Sequence, residues 1–540
     1  LLCAIWGRTW VTGAALASFA GIAAASFVVV CAAMFRATEP VAASRSSILA
    51  ALDVLAKTNA GTVLAADVRA GELVNVAAGD TVPVDGVVVA GEAVVSPWLD
   101  ATTDVTKREG SSVVAGARVL SGTLSVTATW TGADRAFAKL LTLSKAGGFG
   151  VAPLVKLATL LDGRVIVPFC VLAGGMAFAN GATVIDSIAC AAASLTAFGT
   201  PIATFAVSLC HTRAHLRALQ KGIVHRDARH FDRAGRARIA VVCARGTVLL
   251  GEPEIVAIEA IGANDATAII ALASAVVMGS PHPFAAAIVR AARARGVRPE
   301  NVRNPVHAGS GAIAVDAQGE RIVVGRRVFL LTERVSMAVA DTLVRDHEAQ
   351  GRSVLLVSRG GKVVGLVALQ DGLRAGARAA IQKLHDARIE PVLLSGEARE
   401  TCEAIGRALD IEHLRPEVAG AERGAEVRAL AEGGDVVAVL GHPAADDSAL
   451  SAADVSVALD AAGASPGEWA VALASDDVRA AAEALTVARV ARERSIRAMV
   501  VAFAPGIIAS LGLAFQLVPF WVAPLVGALS ATMTLLYAKE

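Results

Sequence analysis

The 540-residue chain contains no Cys-x-x-Cys pair. Its seven cysteines are scattered: Cys31, Cys170, Cys190 and Cys210 fall in apolar runs, Cys3 just before one, and Cys243 and Cys402 in the more polar part. This excludes a disulfide framework and a zinc site of the usual thiolate spacing. The formal net charge is only +1, and Lys is scarce beside Arg, so no nucleic-acid partner is implied. No basic segment opens the chain, and its first apolar run is too long for a cleavable signal peptide. One local absence matters more. From Ile239 to Gly251, where an apolar strand runs into a glycine turn, there is no Asp or Glu.

Apolar residues are abundant. They make up 55% of the chain, and the mean hydropathy is +0.57. At about 150 residues per domain, the length suggests three or four domains. Apolar runs near 10–35, 165–181, 187–210, 498–516 and 518–538 approach the roughly 20 residues that span a bilayer. Leu161-Asp162-Gly163 and Asn180-Gly181-Ala182 punctuate the second run, and Val518-Pro519 separates the last two. Arg213, Arg217 and Lys221 follow the third run; Arg489, Arg492, Arg494 and Arg497 precede the fourth. The turns near Asn180 and Gln516 carry no Lys or Arg, so the long loops 40–160 and 211–497 are placed in the cytosol. The chain begins Leu1-Leu2-Cys3 rather than with Met, and five spans would leave its amino terminus outside. The expectation is a truncated sequence that lacks at least one earlier span.

Short Val-rich runs separated by Gly over 61–130 predict a small β domain. Continuous apolar runs at 239–245 and 434–440, with helical stretches Ala375–Ala387 and Glu400–Leu409, predict a parallel α/β domain. Residues 252–335 read as a helix followed by strands, inserted into that domain.

Several motifs follow one another in order: Gly79-Asp80-Thr-Val-Pro83-Val84-Asp85-Gly86, Gly222-Ile223-Val-His-Arg226, His282-Pro283, Gly309-Ser-Gly311, Val324-Gly325 and Ala453-Asp454-Val455-Ser-Val-Ala458. With them the chain resembles a heavy-metal-transporting P-type ATPase of the copper/zinc type over nearly its whole length. The resemblance implies a multidomain membrane protein. Its parts would be an α-helical transmembrane bundle, a small all-β actuator domain, and an α/β haloacid-dehalogenase-like domain with an inserted α+β nucleotide domain. The implied division is a span in 1–40, the actuator-like domain in 41–160 and two spans in 161–212. A linker and the start of the α/β domain occupy 213–251, the insertion 252–335, the remainder of the α/β domain 336–497, and two spans 498–540.

The family's chemistry can be audited residue by residue. The phosphorylated Asp aligns with Ala244, which has no nucleophilic atom. The GDGxND segment reads Gly441-His442-Pro443-Ala444-Ala445-Asp446, so only Asp446 survives and His442 replaces the first Asp. Imidazole is a poor ligand for Mg2+. Ser395-Gly396-Glu397 stands for TGD and Arg423 for a lysine; the plain alternative is surface polar residues near a loop. The actuator's TGE is absent from 95–107, where Asp100 and Asp104 read as turn residues. His282, Gly309 and Gly311 match nucleotide-holding residues, while Val277 and Arg326 replace a Glu and an Asn; the alternative is a helix start and a tight turn. The Cys-Pro-Cys positions hold Ala192, Ala193 and Ser194, and the Tyr-Asn positions hold Pro505 and Gly506. In the last span Ser530 alone keeps family-like polarity, with Tyr537 where Asn is expected. Asp186 reads as the single ionisable candidate in a span. Cys210, His211 and His215 have metal-ligand spacing on a helix, against the plainer reading of interfacial histidines.

The resemblance therefore implies a non-pumping pseudo-ATPase with a regulatory or partner role. The alternative is an active ATP-dependent cation pump with unusual residues. A membrane-tethered hydrolase of the haloacid dehalogenase type also needs the missing Asp. ATP is expected to bind weakly or vestigially, and Mg2+ is in doubt. The expected partners are the lipid bilayer and a membrane protein or second copy of the chain.

Overall fold

The computed structural model describes residues 13–98, 101, 104–135, 138, 152–198, 202–262, 265–308, 311–462 and 469–539. They fall into two compact units. One comprises residues up to Arg236 with 460–475 and 483–540; the other comprises 237–459 with 476–482.

In the first unit, long helices carry the apolar runs: Gly13–Leu52, Pro153–Leu160 continuing to Ile166–Ala179, Val184–Phe198, Ile202–Gln220, Val478–Ala514 and Val522–Lys539. Among the described residues four stretches are long and apolar enough to cross a membrane, and Val522–Ala538 is a shorter apolar helix. The expected break at Leu161-Asp162-Gly163 is instead a π-helical turn, Leu161–Val165. Asp162, treated as punctuation, lies within this span and accepts hydrogen bonds from Thr204 N (2.8 Å) and Oγ1 (2.7 Å) near the start of the Ile202–Gln220 helix. Asp186 is thus not the single ionisable residue in a span; it accepts from Thr183 Oγ1 at 2.7 Å in the first turn of its helix.

Pro505 lies inside Val478–Ala514 and has no N–H for the Val501 carbonyl four residues back. Ser530 Oγ donates to that carbonyl at 2.9 Å and lies 3.1 Å from the Ala502 oxygen. The polarity of Ser530 therefore satisfies backbone left open by a proline in an apolar bundle.

The β domain is an antiparallel sheet in the order Gly61–Leu64, Leu55–Thr58, Leu73–Ala77, Arg118–Trp130, Asp85–Ser96, Val105–Lys107, with Ser112–Val113 also paired to Asp85–Ser96. Alternating valines fill its core, among them Val74, Val76, Val84, Val88 and Val126. The GDTVPVDG motif is a turn here. Gly79 takes φ +90°, and buried Asp85 accepts the Ala115 N–H at 2.7 Å.

In the second unit five parallel strands run in the order His413–Arg415, Glu390–Leu394, Ile239–Cys243, Val437–Gly441, Val455–Ala458. The inserted sheet is antiparallel: Glu254–Ala260, Lys362–Gln370, Ser353–Arg359, Arg321–Gly325, Gly311–Val315, Arg303–Ala308. The insertion therefore extends past 335. Its first strand pairs with Lys362–Gln370, reached through a turn at Gly360-Gly361, both at positive φ.

Candidate functional site

Ligands of open parallel sheets sit at the carboxyl ends of the strands. Here those ends carry Ala244, Ser395-Gly396-Glu397 and His442. Ala244 is 3% exposed. Its N–H donates to Leu394 O at 3.0 Å, and its carbonyl accepts from Val248 N and Leu249 N at 3.1 and 2.9 Å. The backbone turn is complete, and its centre holds a methyl group.

The residue that dominates the site is Arg245, one position on, which the sequence reading passed over. Its guanidinium pairs with Glu397, and its Cζ lies 4.3 Å over the Phe284 ring. Its Nη1 is 3.4 Å from His282 Nε2, and its Nε is 4.0 Å from Asp371 Oδ2. Arg326 joins from the insertion. It bonds Gly396 O, reaches Glu397 Oε1 at 3.2 Å, and lies 5.5 Å over Phe284. Ser353 Oγ donates to Glu397 Oε2 at 2.8 Å. Glu397 is thus no surface residue; at 5% exposure it is the hub between insertion and sheet. Burial would push its carboxyl up, but Arg326 and Arg245 outweigh this and hold it below the usual range. Asp371 accepts the Gly251 N–H at 3.0 Å and is pushed up, foremost by burial. Arg374 braces the same loop through Asp476 and through Gly246 O at 3.1 Å.

A second pair lies at the next strand end. Asp446, 1% exposed, pairs with Arg423 and accepts the His442 N–H at 3.0 Å. Gly441 leaves room for it, since a Cβ there would lie 2.9 Å from the Asp446 carboxylate. Burial raises the Asp446 carboxyl, with Arg423 opposing. His442 is a helix cap: its Nδ1 accepts the Ala444 N–H at 3.3 Å, with Pro443 in the first turn. His282 does the same for Pro283–Ala294, accepting the Phe284 N–H at 3.2 Å. Both His-Pro pairs start helices. Burial and the adjacent Arg245 push His282 down to about 4, so it is neutral at pH 7.

His282, Phe284, Gly311, Val324, Arg326 and Leu355 line a small, half-open, mostly apolar cleft. Gly311 also has a packing role, because a Cβ there would lie 2.1 Å from the Phe329 ring. Gly309 lies outside the described residues.

The other expected residues belong to the first unit. Asp104 is exposed, and Asp100 lies outside the described residues. Trp98, in the loop where TGE is expected, fills the space left by Gly222. His211 and His215 are not interfacial: both are buried and pack with His225 around Phe231, ring centroids 4.8–5.6 Å away. Cys210 is buried on the same helix. Among the described residues no group of three or more His, Cys, Asp or Glu could hold a metal ion.

Comparison with known proteins agrees with this architecture. Residues 244–454 match the haloacid dehalogenase-like hydrolase family, and residues 50–145 match the P-type ATPase actuator domain. The chain is 28% identical over 415 residues to a silver exporting P-type ATPase of Salmonella typhimurium, covering 73% of this chain and 49% of that protein. It is 28% identical over 411 residues to a copper-exporting P-type ATPase of Bacillus subtilis, covering 73% and 50%. The chain thus spans about half the length of the curated relatives it matches. A crystal structure of a zinc-transporting PIB-type ATPase in the E2.Pi state aligns over 96% of this chain and 89% of its own, with 20% identity and a TM-score of 0.46. With a P-type ATPase actuator domain, a haloacid-dehalogenase-like domain carrying an insertion, and apolar helices long enough to cross a membrane, the chain has the P-type ATPase fold and is similar to copper- and silver-exporting members.

Proposed function

We propose that this integral membrane protein is a non-pumping pseudo-ATPase whose role is regulatory or exerted through a partner. Members of the family transport cations and use ATP and Mg2+. The observation that carries the proposal is the end of the central strand. Ala244 offers no nucleophile, and Arg245, tied to Glu397, occupies the space beside it. A guanidinium cannot accept a phosphoryl group in place of a carboxylate. Nothing at 192–194 or 505–506 replaces the membrane ligands: Ala193 and Ser194 are buried, and Gly506 is packed against the Phe198 ring. We keep the domain division read from the sequence, with the nucleotide-binding-like insertion extended to Gln370. The cleft beside His282 would hold adenine weakly, and the partner would be a membrane protein or a second copy of this chain.

The test is incubation of the full-length protein with labelled ATP and Mg2+, followed by acid quench. No acid-stable phosphoprotein is expected. Stable label on the wild-type chain would refute the proposal. Ala244→Asp alone should not restore labelling, because His442 caps a helix and Asp446 is held by Arg423.

A further inference from the structure

A magnesium ion needs several hard oxygen ligands. The strand ends supply none that is free. Ala244 has no ligand atom, and the His442 Nδ1 is occupied by the Ala444 N–H. Asp446 is engaged by Arg423, Glu397 by Arg245 and Arg326, and Asp371 by the Gly251 N–H. The residues present do not fit Mg2+.

Cations of the protein's own stand there instead. The Glu397 side chain is 7% exposed, while those of Arg245 and Arg326 are 20% and 22% exposed. Arg326 lines the cleft and Arg245 lies against the Phe284 ring that forms part of its wall, so guanidinium N–H groups lie nearer the surface than the carboxylate. Each guanidinium has five donors, and Glu397 takes one from each. The Arg245 Nε is buried without a hydrogen-bond acceptor. Glu397 and Asp371 balance the two guanidinia in charge, and what is left over is N–H donors without acceptors.

We infer that the cleft takes a nucleotide in its metal-free form, with Arg326 and Arg245 binding the phosphate charge that a magnesium ion would otherwise neutralise. The inference rests on the nucleotide reading of this cleft. Apolar walls and the Phe284 ring suit an aromatic base, and the forked guanidinium suits phosphate oxygens in a way a carboxylate-held metal site does not. The ligand class is thus a base bearing uncomplexed phosphates, bound without hydrolysis.

The experiment is calorimetric titration of full-length protein in lipid nanodiscs with ATP in excess chelator, ATP in excess Mg2+, and adenosine. ATP should bind in chelator, and Mg2+ should weaken it. Arg326→Ala should weaken ATP about tenfold or more while leaving adenosine nearly unchanged. Arg326→Lys, which keeps the charge if the alanine variant fails to fold, should lose less. Tighter ATP binding with Mg2+, or equal losses for ATP and adenosine in Arg326→Ala, would overturn the inference and leave the nucleotide cleft standing. Binding of neither ligand would remove the nucleotide reading itself.

Discussion

Glu397→Gln removes one negative charge from a buried centre that holds two guanidinia. Breaking a buried pair by deleting one partner costs about 3–5 kcal/mol. Service to two arginines pushes the figure up. Partial exposure of both arginine side chains, about a fifth each, lets water screen part of the loss and pushes it down. We take about 3 kcal/mol for the second unit. For a unit of roughly 200 residues this is a fall in Tm of about 6–12 °C. Arg245→Ala should cost less, because Glu397 keeps Arg326 and Ser353. The double variant should show a coupling of about 1–3 kcal/mol.

The pH dependence has a fixed sign. Glu397 sits below its ordinary value of 4.5 in the folded state. Its stabilisation is therefore fully present above 4.5 and is lost as pH falls through the lowered folded value. Differential scanning calorimetry of wild type and Glu397→Gln from neutral to acid pH measures both effects. The variant should have a lower Tm near neutrality and a flatter acid limb. A Tm change under about 2 °C, or an acid limb identical to wild type, would refute the hub assignment.

Ser530→Ala should lose about 1–2 kcal/mol in detergent unfolding, because it leaves the Val501 carbonyl open. With Pro505→Ala also present the loss should shrink, since an alanine there brings back the N–H that proline lacks. Gly311→Ala should destabilise the insertion by about 1–3 kcal/mol through the Phe329 ring, and Phe329→Leu should relieve it; both are read by thermal unfolding without nucleotide. Expression in a copper- or zinc-sensitive host should add no tolerance, and vesicles should show no ATP-dependent metal uptake.

What was legible in the sequence had a local signal. The apolar run ending at Cys243, with no acid before Gly251, located the strand end without a structure. The position of His442 after an apolar strand was visible, but its capping role needed the backbone at Pro443. Arg245 was passed over because its meaning lies in Glu397, 152 residues away. The available hint was a charged residue directly after a fully apolar strand. The longer insertion was readable from Ser353-Val-Leu-Leu-Val-Ser-Arg-Gly-Gly-Lys-Val-Val, two alternating runs around a two-glycine turn. Leu-Asp-Gly is a turn signal in water, so from the sequence Asp162 reads as punctuation. Within the helix its carboxylate is held by Thr204, and no local pattern reveals that partner.

The charges of the second unit bear on whether this is a retained protein or a decaying copy. An unpaired buried charge costs several kcal/mol, and a whole domain is stable by about 5–15 kcal/mol. A few uncompensated substitutions at the strand ends would therefore unfold the unit. Arg245 entered a largely buried loop and meets Glu397; Arg326 meets the same carboxylate and the Gly396 carbonyl. Asp446 is matched by Arg423. Arg374 is matched by Asp476. Each of these charges is thus balanced by an opposite charge within reach. That is the arrangement physical chemistry requires of a domain that folds with these charges at its strand ends. On the proposed reading, a partner or a metal-free nucleotide would act on this folded scaffold and its cleft.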